Sequence, residues 1–229
     1  MGNNGFNAAT DIFSMGDEWE VRSSNENKSG STAECPNGVG DITHRDQYGD
    51  PIAPSAEYVL VDDVEELPDL GTIVTVGSAK VAINSITVKT TKGAAPTASV
   101  SGVEVESGAT TLRTYSCGEI ALLARHRAQD ILGLLGQNTP ATLTDATFTF
   151  TCDVTLADPK GIAKKHDVSN GKVVATYTHT VGDSTAITAP SVSGTSKVVS
   201  APVSKDSPEN DYTTTTYSLT DSLTGTDAS

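Results

Sequence analysis

Apolar and polar residues alternate with a period of two along most of this chain, and that spacing predicts β-strands. The longest example lies in residues 147–156, where Phe148, Phe150 and Cys152 share one parity. The intervening positions are Thr or Asp, so this strand is expected to turn one face to a core and the other to solvent or a partner.

Shorter alternating runs predict further strands at residues 19–22, 57–61, 99–106, 173–179 and 212–219. Residues 73–76 and 81–90 are predicted to form a hairpin that turns at Gly77 and Ser78. The phase of its second strand changes near Asn84 and Ser85, which indicates a β-bulge there.

One stretch, residues 116–136 (SCGEIALLARHRAQDILGLLG), has apolar residues at helical spacing instead. They fall on one face at i, i+3 and i+4: Ile120, Leu123, Ala124, Ala128, Ile131, Leu132 and Leu135. Ser116 and Glu119 match the S-x-x-E capping box, and Gly136 stands where a left-handed residue ends a helix. The sequence therefore predicts one α-helix over about residues 117–135.

A single amphipathic helix needs a sheet to cover its apolar stripe. The predicted fold is mainly β: a β-sandwich or flattened barrel with this helix packed on it, an extended N-terminal arm and long loops. Residues 1–17 are polar and rich in Gly and Asn and form the predicted arm, residues 18–220 the β-rich domain, and residues 221–229 a flexible C-terminal tail.

The β-rich domain divides into two units, residues 18–115 and 139–220, joined by helix 116–136. The string APTASVSG ending at Gly102 resembles TAPSVSG ending at Gly194. Short Ser, Val and Gly strings also recur by chance in biased sequences, so duplication and coincidence both stay open.

Two stretches rich in turn residues are predicted to lie outside the strands. Residues 36–56 contain closely spaced Gly, Asn, Asp and Pro and read as a projecting loop. DVSNG, beginning at Asp167, reads as a hairpin turn, because it lacks the register and the later Glu of a calcium-binding loop.

Net charge, cysteine count and the lengths of apolar runs exclude several classes of function. The 229 residues carry a formal net charge of −14, which argues against a free-standing nucleic-acid-binding protein. The three cysteines, Cys35, Cys117 and Cys152, are an odd number spread far apart and predict reduced thiols in a cytoplasmic product. The first residues lack the basic and apolar regions of a signal peptide, and no apolar run is long enough to predict a membrane span.

The sequence shows no arrangement of residues that predicts catalysis, a metal site or a cofactor. The four histidines, His44, His126, His166 and His179, lack the spacing of zinc ligands. Neither a G-x-S-x-G motif nor a Gly-rich phosphate-binding loop with its Lys occurs. We therefore expect a non-enzymatic protein with no catalytic, cofactor-binding or metal-binding residues.

Two groups of residues suggest contacts between subunits. Arg125, His126 and Arg127 form the one basic cluster in the sequence. The cluster is either a solvated helix face or a contact with carboxylates of a neighbouring subunit. The candidate carboxylates are those of Asp62, Asp63, Glu65 and Glu66. Large apolar residues in a polar arm often become ordered on docking to a neighbour, and the arm carries Phe6, Ile12 and Phe13.

This combination of an apolar-anchored arm, a β-rich body with one helix and acidic loops resembles the tail tube (major tail) proteins of long-tailed bacteriophages. The segment EWEVRSSNENKSGSTAECPNGVGDI also resembles a phage structural product. The resemblance implies two β-sheets flanked by a helix, and stacked hexameric or trimeric rings built from this chain.

It further implies a virion protein made in the host bacterial cytoplasm, with other virion proteins as partners, DNA as non-specific cargo and no membrane association. A head decoration or head-to-tail neck protein is the alternative, and a carbohydrate-binding adhesin-like β-domain is the third.

A tube must let DNA pass without binding it, and carboxylates along its wall would repel phosphates. The candidates for residues that face the lumen are Glu104, Glu106 and Asp153, on the polar parity of predicted strands. Equally, these carboxylates could serve only to keep an acidic protein soluble.

Overall fold

The computed structural model describes residues 11–25, 30–36, 42–49, 52–61, 64–91, 93–117, 119–121, 143–157, 165–182, 203–205 and 212–228. Within these ranges the regular secondary structure consists of fifteen β-strands, and no helix occurs in them. The strands are β1 (Trp19–Asn25), β2 (Gly30–Pro36), β3 (Ile42–Gly49), β4 (Ser55–Leu60), β5 (Val64–Glu66), β6 (Ile73–Val76), β7 (Ala79–Thr91), β8 (Thr97–Val105), β9 (Arg113–Tyr115), β10 (Glu119–Ala121), β11 (Leu143–Ala157), β12 (Lys165–Gly182), β13 (Val203–Lys205), β14 (Tyr212–Ser222) and β15 (Gly225–Asp227).

The main sheet has nine antiparallel strands in the order β1-β4-β8-β7-β11-β12-β14-β13, with β6 paired to β7. Pairing of β7 with β11 places strands from both predicted β-units in one sheet. The described strands leave the sheet open, since no pairing among them joins β1 to β13. The prediction of a mainly β, antiparallel protein is confirmed.

The predicted start of the helix is wrong. Glu119–Ala121 is strand β10, which pairs antiparallel with β5, so Glu119 cannot be the third residue of a helix capped by Ser116. The backbone of this segment meets its hydrogen-bonding needs through a neighbouring strand, which overrides the local helical pattern. Residues 122–136 of the predicted helix lie outside the described residues.

The predicted alternation of the longest strand is confirmed in β11. Phe148 and Phe150 are fully buried and Cys152 nearly so, while Asp153 is exposed. The hairpin of β6 and β7 turns at Gly77 and Ser78 as predicted. The pairing of β7 with β8 shifts register between Ile83 and Ser85, where the bulge was expected.

Two predicted turn regions contain strands. β3 lies inside the loop predicted for residues 36–56 and pairs with β2. DVSNG lies within β12 and is not a hairpin turn, because this strand continues through it with a register shift opposite Thr151 and Asp153. Asn170 takes a left-handed φ of 56° there, and its side-chain amide donates to Asp153 at 2.8 Å. A bulge absorbs the turn-forming residues without ending the strand.

The main core lies on one face of the sheet, where residues of neighbouring strands meet in register. One such row runs through Tyr58, Ala98, Val88, Phe148 and Ala175, all of them buried. These apolar, largely β-branched or aromatic positions explain why the segments form strands, since a pleated surface packs such side chains well.

The segment 11–17 packs onto this core. Ile12, Phe13 and Met15 are buried, and the Asp11 carboxylate accepts hydrogen bonds from the backbone N–H groups of Phe13 and Met15. Tyr58 donates its hydroxyl to the same carboxylate at 2.8 Å. The part of the predicted arm that the structure describes therefore belongs to the folded body.

Residues 221–228, predicted to be a flexible tail, carry further strand pairing. Asp221 and Ser222 end β14, and β15 pairs with β9. Arg113 and Asp227 form an exposed ion pair across these two strands at 2.6 Å.

Candidate functional site

The opposite face of the sheet carries mostly hydroxyl side chains, with Val59 and Val174 as apolar positions in the same rows. It runs across strands β4, β8, β7, β11 and β12, whose outward residues lie in register from strand to strand. We call this surface the hydroxylated face and define it by Ser55, Ser85, Thr87, Thr97, Ser99, Ser101, Thr147, Thr149, Thr151 and Thr176. Ser99 is exposed and the other nine are half-buried.

The rows of this face show how closely the hydroxyls follow one another. Ser99, Thr87 and Thr149 are consecutive cross-strand partners. The Thr87 and Thr149 hydroxyl oxygens are 3.5 Å apart, at the limit of a hydrogen bond. In the next row, Ser101 donates its hydroxyl to the Asn84 side-chain oxygen at 3.3 Å. Ser and Thr fill most positions of these rows, whereas Val174, the cross-strand partner of Thr149, and Val59, the partner of Thr97, are apolar.

Few charges interrupt the hydroxylated face. Glu57, Lys89 and Lys172 lie in its rows and are exposed, so one negative and two positive groups border the hydroxyls. No aromatic side chain stands among the described outward positions of these strands. Interface cores of protein complexes are enriched in aromatic residues and depleted in Ser, so this face has the composition of a surface that binds weakly.

The carboxylates predicted to face a lumen are engaged within the chain. Glu104 accepts a hydrogen bond from the backbone N–H of Ile52 at 2.9 Å. Glu106 lies 3.0 Å from the imidazole of His166, and Asp153 accepts from Asn170. Their position relative to a lumen stays a prediction, and their local role is to hold neighbouring segments.

The contact between Glu106 and His166 joins the end of β8 to the start of β12, two strands that are not neighbours in the sheet. The His166 side chain is 1% exposed, and among the described residues Nε2 of His166 and Oε2 of Glu106 have no hydrogen-bond partner. Burial by itself raises the pKa of Glu106, but hydrogen bonds from its own backbone and from His166 outweigh burial, and the pKa lies below its ordinary value. The pair links the end of β8 to the start of β12 inside the described fold.

The described thiols are unsuited to nucleophilic chemistry. Cys117 and Cys152 are free and buried. Burial raises the pKa of Cys117 to about 12 and that of Cys152 to about 11, which keeps both in the neutral form at pH 7. Within the described ranges, no group of three or more His, Cys, Asp or Glu side chains could hold a metal ion. Cys35 lies on β2, of whose side chains nothing is described.

A cleft of about 370 Å³ lies between the segment 11–17 and the segment 67–72. It is lined by Ser14, Met15, Gly16, Leu67, Pro68, Asp69 and Thr72. Ser14 takes a left-handed φ of 55°, and Gly16 a φ of 96°, which turn the chain around the buried Met15 side chain.

The structure describes only some of the other residues predicted to contact a neighbouring subunit. Ile12 and Phe13 are in the core of their own chain, so docking to a neighbour stays a prediction that would require this segment to leave that core. Glu65 and Glu66 lie on β5, whose backbone pairs with β10, and their side chains are not described. The remaining candidates lie outside the described residues: Phe6, Asp62, Asp63, Arg125 and Arg127.

The β11 part of the hydroxylated face could be predicted from the Thr residues that alternate with Phe148 and Phe150. Alternating Ser and Thr in the sequences of β7 and β8 were a further signal.

None of the described residues forms a helix that is long and apolar enough to cross a membrane. Comparison with known protein families and with characterised proteins gave no match to this chain.

Proposed function

We propose that this protein is a non-enzymatic virion subunit that self-assembles into stacked rings and forms the tail tube of a long-tailed phage. The hydroxylated face carries the proposal, because a broad, even and sparsely charged sheet surface suits a wall past which a polyanion slides. In the assembled particle the sheet would be one layer of a β-sandwich or flattened barrel.

The physical requirement on such a wall is weak interaction. DNA is held by clustered Lys and Arg, and each neutralised phosphate adds affinity. The face offers only Lys89 and Lys172 as cations, with Glu57 in the same rows and a net charge of −14 on the whole chain. Most outward side chains carry hydroxyl groups. The apolar residues in the same rows, Val59 and Val174, lie on β4 and β12 with three strands between them, so they form no continuous apolar patch for DNA to hold.

The described surface also favours this function over carbohydrate binding. Sugar-binding surfaces commonly use exposed aromatic rings, with one apolar side and one polar handle. Trp19 and Tyr58 are buried, and Tyr115 is 5% exposed. A head decoration or neck protein shares the virion context and is separated from a tube subunit by the test that follows.

Electron microscopy of the purified, negatively stained protein, together with its mass by light scattering, tests the proposal. We expect hexameric or trimeric rings, or tubes, with an open centre, and particles made without the protein should lack a tube. Oligomers that form only on capsids would favour the decoration or neck protein. Dispersed monomers at all concentrations, with tubes formed normally in its absence, would overturn the proposal.

A further inference from the structure

The cleft between the segments 11–17 and 67–72 has the features of a receptor for a long cationic side chain. Met15 and Leu67 are buried and supply an apolar floor, and Pro68 is half-buried beside them. Ser14 and Thr72 place hydroxyl groups in its lining. A volume of about 370 Å³ is at the lower end of the range for ligand sites, which suits side chains better than a large cofactor.

Asp69 provides the charge. It is half-buried in the lining of the cleft, and its backbone carbonyl accepts a hydrogen bond from the Thr72 N–H at 3.3 Å, which forms the local turn. Among the described residues its carboxylate has neither an ion pair nor a hydrogen bond. An apolar floor beside a free carboxylate is complementary to Arg, whose methylene stem packs on apolar surface while the guanidinium pairs with carboxylate oxygens.

The charge of the whole chain indicates what occupies the cleft. Two copies that each carry a net charge of −14 repel one another, so a local contact between opposite charges would favour self-association. Arg125 and Arg127, with His126 between them, are the cationic cluster that stands out in the sequence. Arg also forms bidentate bonds to carboxylates that Lys cannot form.

We propose that the cleft receives Arg125 or Arg127 of a second copy of this chain, with the guanidinium on the Asp69 carboxylate. The inference rests on the self-assembly that the proposed function requires, and it names the surface through which neighbouring copies meet. If the arginines of each copy dock in the cleft of the next copy, repetition of the contact closes a ring or extends a filament.

Asp69→Lys tests the acceptor side. The variant places like charges opposite each other, and the association constant measured by analytical ultracentrifugation should fall about 10- to 100-fold, as expected for loss of a charged hydrogen-bonded pair. Glu20→Lys makes the same change of charge at an exposed position of β1 and should leave association within about twofold. Asp69→Asn, which keeps the size of the side chain, serves if the lysine disturbs folding.

A mixing experiment shows whether the contact lies between copies. The double variant Arg125→Glu with Arg127→Glu should associate as poorly as Asp69→Lys. When the two variants are mixed, the reversed charges face each other across copies, and hetero-oligomers should form. A contact within one chain would not be restored by mixing.

The outcomes separate this inference from the proposed function. Ring assembly by wild type that Asp69→Lys leaves unchanged would overturn the inference and leave the tube function standing. Weakened assembly that mixing fails to restore would also overturn it, since the arginines would then contact something other than the neighbouring cleft. A wild-type protein that never self-associates would overturn the proposed function itself.

Discussion

At the scale of single residues, the Asp11 carboxylate holds the segment 11–17 on the core. Its oxygens accept from the N–H groups of Phe13 and Met15 and from the buried Tyr58 hydroxyl. Burial raises the pKa of Tyr58 well above its ordinary value, and the Asp11 carboxylate raises it further, so the phenol stays protonated and donates at all ordinary pH values. One carboxylate thus satisfies three donors that folding removes from water.

We expect Asp11→Ala to lower the free energy of unfolding by about 1–3 kcal/mol, because it leaves the Tyr58 hydroxyl buried without an acceptor. Denaturant titration monitored by Trp19 fluorescence measures the change. Asp17→Ala, at an exposed position of the same segment, is the matched control and should cost under about 0.5 kcal/mol. Equal effects of the two substitutions would remove Asp11 from this role.

The contact of Glu106 with His166 predicts a pH dependence with a definite sign. The folded-state pKa of Glu106 lies below the ordinary 4.5, so its contribution to stability is present above pH 4.5 and is lost as pH falls through the folded-state value. Glu106→Gln should therefore be less stable than wild type at pH 7, and the difference should narrow below about pH 4.5.

Denaturant unfolding of both proteins between pH 3 and pH 7 measures this difference, and Glu20→Gln on an exposed position of β1 corrects for general loss of charge. If the difference in free energy of unfolding between wild type and Glu106→Gln stays constant over that range, ionisation of Glu106 does not contribute to stability.

At the scale of elements, the bulge in β12 contains the turn-forming residues DVSNG within a strand that stays paired on both sides of them. Asn170 occupies the left-handed region, and Gly171 follows it against the ring of Tyr115 on β9. A Cβ atom at Gly171 would overlap that ring, which is buried under the sheet. The glycine is therefore required by the close approach of β9 to the bulge.

We expect Gly171→Ala to destabilise the protein by about 1–3 kcal/mol, as overpacking of a filled core does. Differential scanning calorimetry would show a lower Tm. Gly108→Ala is the matched control, since a Cβ there meets no atom within 4 Å and its φ is not positive, and its Tm should stay close to that of wild type. An unchanged Tm for Gly171→Ala would mean that β9 moves away from the bulge at little cost.

At the scale of the whole molecule, the two faces of the main sheet carry different kinds of side chain. One face is filled with buried apolar side chains, and the other presents the hydroxylated face across five neighbouring strands. Ser and Thr suit this division, because their hydroxyls can bond water or one another while their strands pair. Thr151 is an exception, since its Oγ1 is buried and has no hydrogen-bond partner among the described residues.

If this face lines a DNA path, adding cations to it should slow passage. Thr149→Lys combined with Thr176→Lys places two lysines in the centre of the face, where their flexible stems keep the charge in solvent. We expect assembled particles that release DNA several-fold more slowly, with a defect that weakens as salt rises, because phosphate contacts are screened.

A dye-based assay of DNA release measures the rate. Ser78→Lys combined with Ser107→Lys adds the same charge at exposed turns away from the face and should release DNA normally. Normal release by the Thr149 and Thr176 variant would separate the face from the DNA path.

The strand segments and their parity could be predicted from the sequence because alternation is a local property. The alternation of Phe148 and Phe150 with Thr does not depend on which strands lie beside β11. The change of phase at Asn84 and Ser85 likewise indicates a bulge without knowledge of the neighbouring strand. Alternation along the chain therefore establishes a mainly β protein in which β11 has one polar and one apolar side.

Pairing was decided only by the tertiary structure, because a strand's hydrogen-bonding groups are the same whichever neighbour they meet. β1 pairs with β4, distant in sequence, and Glu119–Ala121 joins β5 although its apolar spacing suits a helix. The hydroxylated face likewise exists only because β4, β8, β7, β11 and β12 align in register, which brings Ser99, Thr87 and Thr149 into one row. No single segment contains that information, since it depends on contacts between residues far apart in the chain.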